Sequence, residues 1–185
     1  MDSKIEDLEC VKLSQALMMA CKSNNVEIVK TLLKDPAIDV SEESSEMTLM
    51  TPFWVNSEML EAATELKTSK ILSLLLSEKS RIDPQVINDG LRHAIWIAKN
   101  PIAVEEFIKH DIHPKDIWGT TIYHGIPVDS LPSSDVMTAL LKSNEIKIES
   151  SMVTKMLTEN RDVAELMTQH KSFIGDKLAL LGHGG

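Results

Sequence analysis

Four histidines and three aspartates fall between residues 89 and 124: His93, His110, His113 and His124, with Asp89, Asp111 and Asp116. Side chains of these types move protons near neutral pH or ligate a metal. Their spacing matches no zinc signature, since His-Glu-x-x-His and Cys-x-x-Cys are both missing, and Asp111-x-His113 would bind a metal only with remote help. A glycine-rich phosphate loop and a Gly-x-Ser-x-Gly elbow are missing too. Cys10 and Cys21 are the only cysteines, which argues against a disulfide framework or a cysteine-rich zinc site, and both are read as ordinary buried thiols. No catalytic residue, metal ligand or cofactor is therefore assigned. A small helical enzyme or metal-dependent protein using His93, His110, His113 and His124 is the alternative to a binding protein.

Any such group has to be positioned by the elements around it, and composition points to helices. The chain has 185 residues and 43% hydrophobic content, enough for one well-buried core, so residues 1–185 are expected to form a single domain. Aromatic residues are 4%, and Leu, Ile, Val, Ala and ten Met supply the apolar mass, which favours helix-on-helix packing over an aromatic β core. No apolar stretch is long enough for a membrane span, and the opening Met1-Asp-Ser-Lys-Ile-Glu-Asp-Leu-Glu-Cys10 lacks the apolar centre of a signal peptide. An intracellular, cytoplasmic protein with no membrane partner is expected. A net charge of −9 opposes broad contact with phosphate backbones, so nucleic acid is not expected as a partner. Such a surface suits solubility or a basic protein partner.

A two-part unit recurs along the chain. Its start is an aliphatic residue, a polar residue and a Ser or Pro, followed by a pair of apolar residues: Val55-Asn-Ser-Glu-Met59-Leu60, Ile82-Asp-Pro-Gln-Val86-Ile87 and Ile148-Glu-Ser-Ser-Met152-Val153, with a weaker form at Ile112-His-Pro-Lys-Asp116-Ile117. Polar side chains there can accept the unpaired N–H groups of a first helical turn, and Pro suits the first helical position. The second part sets large apolar residues three and four places beyond a β-branched residue or Met: Val29 with Leu32 and Leu33, Ile71 with Leu74 and Leu75, Val104 with Phe107 and Ile108, Met137 with Leu140 and Leu141, and Val163 with Leu166 and Met167. That spacing is one face of a helix. Polar breaks at 22–25, 67–69, 99–101 and 159–162 predict tight turns between antiparallel helices.

The segment Leu17-Met-Met-Ala-Cys-Lys-Ser-Asn-Asn-Val-Glu-Ile-Val29-Lys-Thr-Leu-Leu33 resembles the core of an ankyrin repeat. Leu17, Ala20, Cys21, Asn24, Val29, Leu32 and Leu33 match that family's pattern in order, while its Thr-Pro-Leu-His opening is replaced by Gln15-Ala-Leu-Met18. A second unit keeps the step of 12 residues, from Met59 to Ile71, which places Ala62 with Ala20 among the buried small residues. The last unit, Ile148 to Met167, looks like the divergent ankyrin-like arrays of fungal innate-immunity-type receptors. The resemblance implies an all-α, ankyrin-like helical repeat solenoid of about five helix pairs over residues 14–170, with an N-terminal cap helix in 1–13 and a C-terminal cap and tail in 171–185. Irregularity is expected in three places: a long finger at 41–52, a first helix of the third unit running from Pro84 to Lys99, and a broken fourth unit. The fourth carries Pro114, Gly119, Gly125, Pro127 and Pro132, residues that disfavour a helix interior, and Thr120-Thr-Ile-Tyr123 is expected to be extended.

Repeat arrays bury a core by stacking and leave long faces for binding, so the function expected is protein binding without catalysis. Trp and Tyr bury large rigid areas at binding surfaces. The residues expected to contact a protein or peptide are Phe53 and Trp54 in the finger, Trp96 in the third unit, and Trp118, Tyr123 and His124 in the irregular 113–127 segment. Burial in the core is the competing reading for Trp96, and loop packing for the others. A self-associating structural subunit is a further alternative, because unit ends without polar caps must be covered.

Overall fold

The computed structural model describes residues 3–34, 55–114, 122–123, 126–127 and 131–175, with side chains from residue 13 onward outside the two short strands at 122–127. Of the described residues 67% are helical. The helices are α1 (Ser3–Lys22), α2 (Val26–Leu33), α3 (Ser57–Thr64), α4 (Lys70–Ser77), α5 (Pro84–Trp96), α6 (Pro101–Lys109), α7 (Ser134–Leu140), α8 (Ser150–Glu159) and α9 (Arg161–Gln169). Four short strands accompany them: β1 (Ile122–Tyr123), β2 (Ile126–Pro127), β3 (Ile148–Glu149) and β4 (Phe173–Ile174). The chain divides into two compact units, residues 1–90 and 91–185.

Asparagine starts four of the described helices, α2, α3, α6 and α9. Its side-chain oxygen accepts the otherwise unpaired N–H of the first turn at Asn25 (from Ile28, 3.2 Å), Asn56 (from Met59, 3.0 Å), Asn100 (from Ile102, 3.1 Å) and Asn160 (from Val163, 3.2 Å). Pro101 follows Asn100 as the first residue of α6, where its missing N–H costs no hydrogen bond. The same breaks force the chain to turn. Asn24 and Lys99 take φ of 55° and 47°, and Asp111, just beyond α6, takes 60°, the left-handed region that closes a helix end. Asn24 and Lys99 each lie five residues before a buried valine, Val29 and Val104, so the two turns are equivalent. This is why α5 stops at Trp96 and does not run to Lys99: the backbone reverses there to start α6.

In the first unit, α1 packs on α2 and α3, α2 on α4, and α3 on α4, two helix hairpins laid one on the other. Leu17, Ala20, Cys21 and Val29 fill one hairpin, and Met59, Leu60, Ala63, Ile71, Leu72, Leu75 and Leu76 the other. Ala63, 1% exposed, is the buried partner of Ala20; Ala62 is half-buried, a correction of one position. Met59 and Leu60 are both fully buried, and so are Ile71 and Leu72, so apolar spacing alone allowed either register. Thr64 occupies the place of Cys21 and satisfies its buried hydroxyl by donating to the Glu61 carbonyl at 2.7 Å.

In the second unit α6 packs on α7, α7 on α9, and α8 on α9. The core holds Leu91, Ala94, Ile95 and Trp96 of α5, Val104 and Phe107 of α6, Val136, Met137 and Leu140 of α7, and Val153, Met156, Ala164 and Met167 of α8 and α9. Asn160 alone links α8 to α9, closing one helix with an N–H donated to the Met156 carbonyl at 2.7 Å and capping the next. β3, leading into α8, pairs in parallel with β4, leading out of α9. Gly175 lies so close to Ser150 and Phe173 that a side chain there would collide with both. The extended piece expected near Tyr123 is β1, paired antiparallel with β2. The finger at 41–52 and the tail beyond 175 lie outside the described residues.

Two stability changes follow from this packing. Ala63→Glu places an uncompensated charge in the core and is expected to cost about 3 to 5 kcal/mol, whereas Ala62→Glu costs about 1 kcal/mol or less; urea unfolding of both variants checks the register, and equal losses would refute it. Lys99→Gly relieves a left-handed side-chain conformation and is expected to add about 1 kcal/mol, visible as a raised melting temperature.

Candidate functional site

The histidine group expected as the alternative chemistry does not converge among the described residues. His93 is buried at 6% exposure. His110 ends α6 and sets its Nε2 3.4 Å from Oε1 of Glu106, a carboxylate that also receives Lys109 at 3.3 Å. Asp89 accepts a hydrogen bond from Gln85 on its own helix. His124 and Asp116 lie outside the described residues. Among those described, no group of three or more His, Cys, Asp or Glu is placed to hold a metal ion.

His113 does meet a serine and a carboxylate. Its Nε2 is 3.0 Å from Oδ1 of Asp111, and its Nδ1 is 2.9 Å from Oγ of Ser143. An ionised carboxylate only accepts, so Nε2–H donates to Asp111; in the neutral ring Nδ1 then accepts from the Ser143 hydroxyl, whose oxygen accepts from the Glu145 N–H at 3.2 Å. The atom types are those of a hydrolase relay, but the burial is reversed. Ser143 is fully buried and Asp111 is 84% exposed in its side chain, whereas a nucleophile must meet its substrate and the orienting carboxylate is the buried member. The chain of bonds ties the residues after α6 to those after α7. Ser143 was not visible as a partner in the sequence, lying 30 residues from His113.

Of the six side chains expected to contact a partner, Trp96 has a described side chain, and it is 5% exposed. It belongs to the core, as its neighbours Ala94 and Ile95 do, which corrects its place among surface anchors. Tyr123 is placed by its backbone in β1. Phe53, Trp54, Trp118 and His124 lie outside the described residues.

A surface feature that the sequence did not single out lies between the two first helices of unit 1. A cleft of about 320 Å³ is lined by Ser14, Gln15, Met18 and Met19 of α1 and by Asn56, Glu58 and Met59 at the start of α3. The α1 residues fall on one stripe of that helix. Met59 is fully buried and forms the floor, while Met19 is 70% exposed at the rim. Asn56 is fixed by its capping bond to Met59. Directly behind this stripe Cys21 faces the core, and burial pushes its thiol up from 9.0 to about 12, so it stays protonated and inert.

Residues 15–43 match the family model for the ankyrin repeat, over the α1–α2 hairpin and the residues that follow it. That segment is similar to an ankyrin repeat, a family of protein–protein interaction modules, and the predominantly helical content of the described residues is consistent with an all-helical repeat fold. No curated protein and no solved structure matches the chain. No described helix is long and apolar enough to cross a membrane.

The Cys21 thiol links stability to pH with a definite sign. The unfolded chain releases this proton near 9.0 and the folded chain near 12, so the contribution is complete below pH 9.0 and is lost as pH rises through about 12. Melting temperature is expected to fall more steeply on the alkaline side for the native chain than for Cys21→Ala; parallel curves would contradict the assignment.

Proposed function

We propose that this chain is a non-enzymatic binding module that holds another protein or a peptide. The observation that carries the reading is the ankyrin-repeat match, which falls on the α1–α2 hairpin, beside an open cleft whose other wall is the start of α3. Repeat packing supports it physically: once helix hairpins have buried their facing stripes, the remaining faces are free to be read by a partner. The His113 network does not favour catalysis, because its hydroxyl is sealed from solvent. Phe53, Trp54, Trp118, Tyr123 and His124 extend the contact surface in this reading, on the ground that Trp and Tyr are the side chains most enriched at binding hot spots. The sequence alone supports that extension, through the departure of residues 113–127 from the repeat pattern.

Affinity capture with the full chain as bait, compared with Trp118→Ala/Tyr123→Ala and with a chain lacking residues 113–127, tests both levels. A specific protein is expected with the native bait, held more weakly in the double variant by more than about 2 kcal/mol at unchanged helical circular dichroism. Unchanged retention would remove the 113–127 segment from the contact surface, and failure to capture any specific protein would refute the binding-module reading.

A further inference from the structure

We infer that the cleft between α1 and α3 is a docking site for a basic peptide segment of a partner protein, one that presents an aliphatic side chain next to Lys or Arg. The inference rests on the protein-binding reading and names the partner's chemistry. Met18, Met19 and Met59 supply three thioethers around one hollow. Methionine is flexible and polarisable, so such walls adapt to different aliphatic guests. The volume, about 320 Å³, lies at the small end of ligand sites and suits an inserted side chain. The rim is open: Gln15 and Glu58 are exposed and Met19 is 70% exposed, so a chain lying across the surface can leave one side chain in the hollow.

Charge selects the guest. Glu58 is the one charged residue among the seven that line the cleft, and among the described residues its carboxylate has no hydrogen-bond or ion-pair partner. Its negative field adds to a chain that carries −9 overall, which attracts cationic partners and repels acidic ones. Gln15 and Ser14 add an amide and a hydroxyl able to meet a peptide backbone. Two of the lining residues, Gln15 and Met18, stand where the ankyrin pattern has Thr and His. The hollow is thus built from this chain's own departures from that pattern.

Short fluorescein-labelled peptides with a shared Leu-x-x-Leu centre and flanks of Lys, Gln or Glu, titrated with the full chain by anisotropy, test the assignment. The Lys peptide is expected to bind at least about tenfold tighter than the Gln peptide, and the Glu peptide weakest, with the difference shrinking as salt is raised. Methyl-labelled methionine should show Met18, Met19 and Met59 shifting on binding. Glu58→Lys should reverse the order of the peptides, and Met19→Ser should weaken all that bind; both positions are exposed, so neither variant is expected to unfold, and circular dichroism verifies this. No binding, binding without methionine shifts, or a preference indifferent to Glu58→Lys would each overturn the proposal. A protein captured by the native chain and retained equally by Glu58→Lys would leave the binding-module reading standing and place its contact elsewhere.

Discussion

Two helices joined by a handful of residues must run back on each other, and how closely they meet is set by the side chains caught between them. In this chain that constraint governs nearly everything else. Asn160 alone joins α8 to α9, and residues 23–25 join α1 to α2, so neither pair can splay to admit bulk. Ala20, Ala63, Ala94, Ala103 and Ala164 accordingly appear among the most buried residues, beside leucines and methionines that fill the remaining space. A larger residue at such a place would overpack a site that the short turn prevents from opening.

The turns exact conformations in their own right. An asparagine that caps the next helix satisfies backbone donors which burial would otherwise leave unpaired, and the left-handed residue before it lets the chain reverse within a few bonds. Where the residue is Asn24 the conformation is well tolerated; at Lys99 it is held against the side chain's preference. Stacking then consumes the inward stripes, through α2 on α4 in one unit and α6, α7 and α9 in succession in the other. What is left outward includes Met19, Ile28, Ile102 and Leu166, single apolar residues of which Met19 belongs to a defined hollow.

Burial, more than residue type, decides which side chains can act. Asp111, His113 and Ser143 have the chemistry of a proton relay, yet the hydroxyl is inside and the carboxylate outside, so the same three groups serve as a tether between two segments. Cys21 is silenced in the same way: its thiol is nucleophilic only as the anion, and the core disfavours the anion. Glu58 is the opposite case, an ordinary acidic residue that becomes informative because it is exposed beside three methionines.

Helix content, the paired-helix unit, the positions of the turns and the ankyrin character of residues 15–43 were all legible in the order of residues, because they depend on periodicities of three to four residues and on local capping chemistry. The five expected second helices are present as α2, α4, α6, α7 and α9. Register within α3 was not legible: Met59 and Leu60 are equally apolar, and only packing on both α1 and α4 buries them together and sends Ala63 inward in place of Ala62. Trp96 had two local readings, and its 5% exposure decides for burial. Pairings such as His113 with Ser143, and the meeting of Gln15 and Met18 with Glu58, join positions some 30 to 43 residues apart. No local pattern encodes such distances, because the stacking of one hairpin on another creates them.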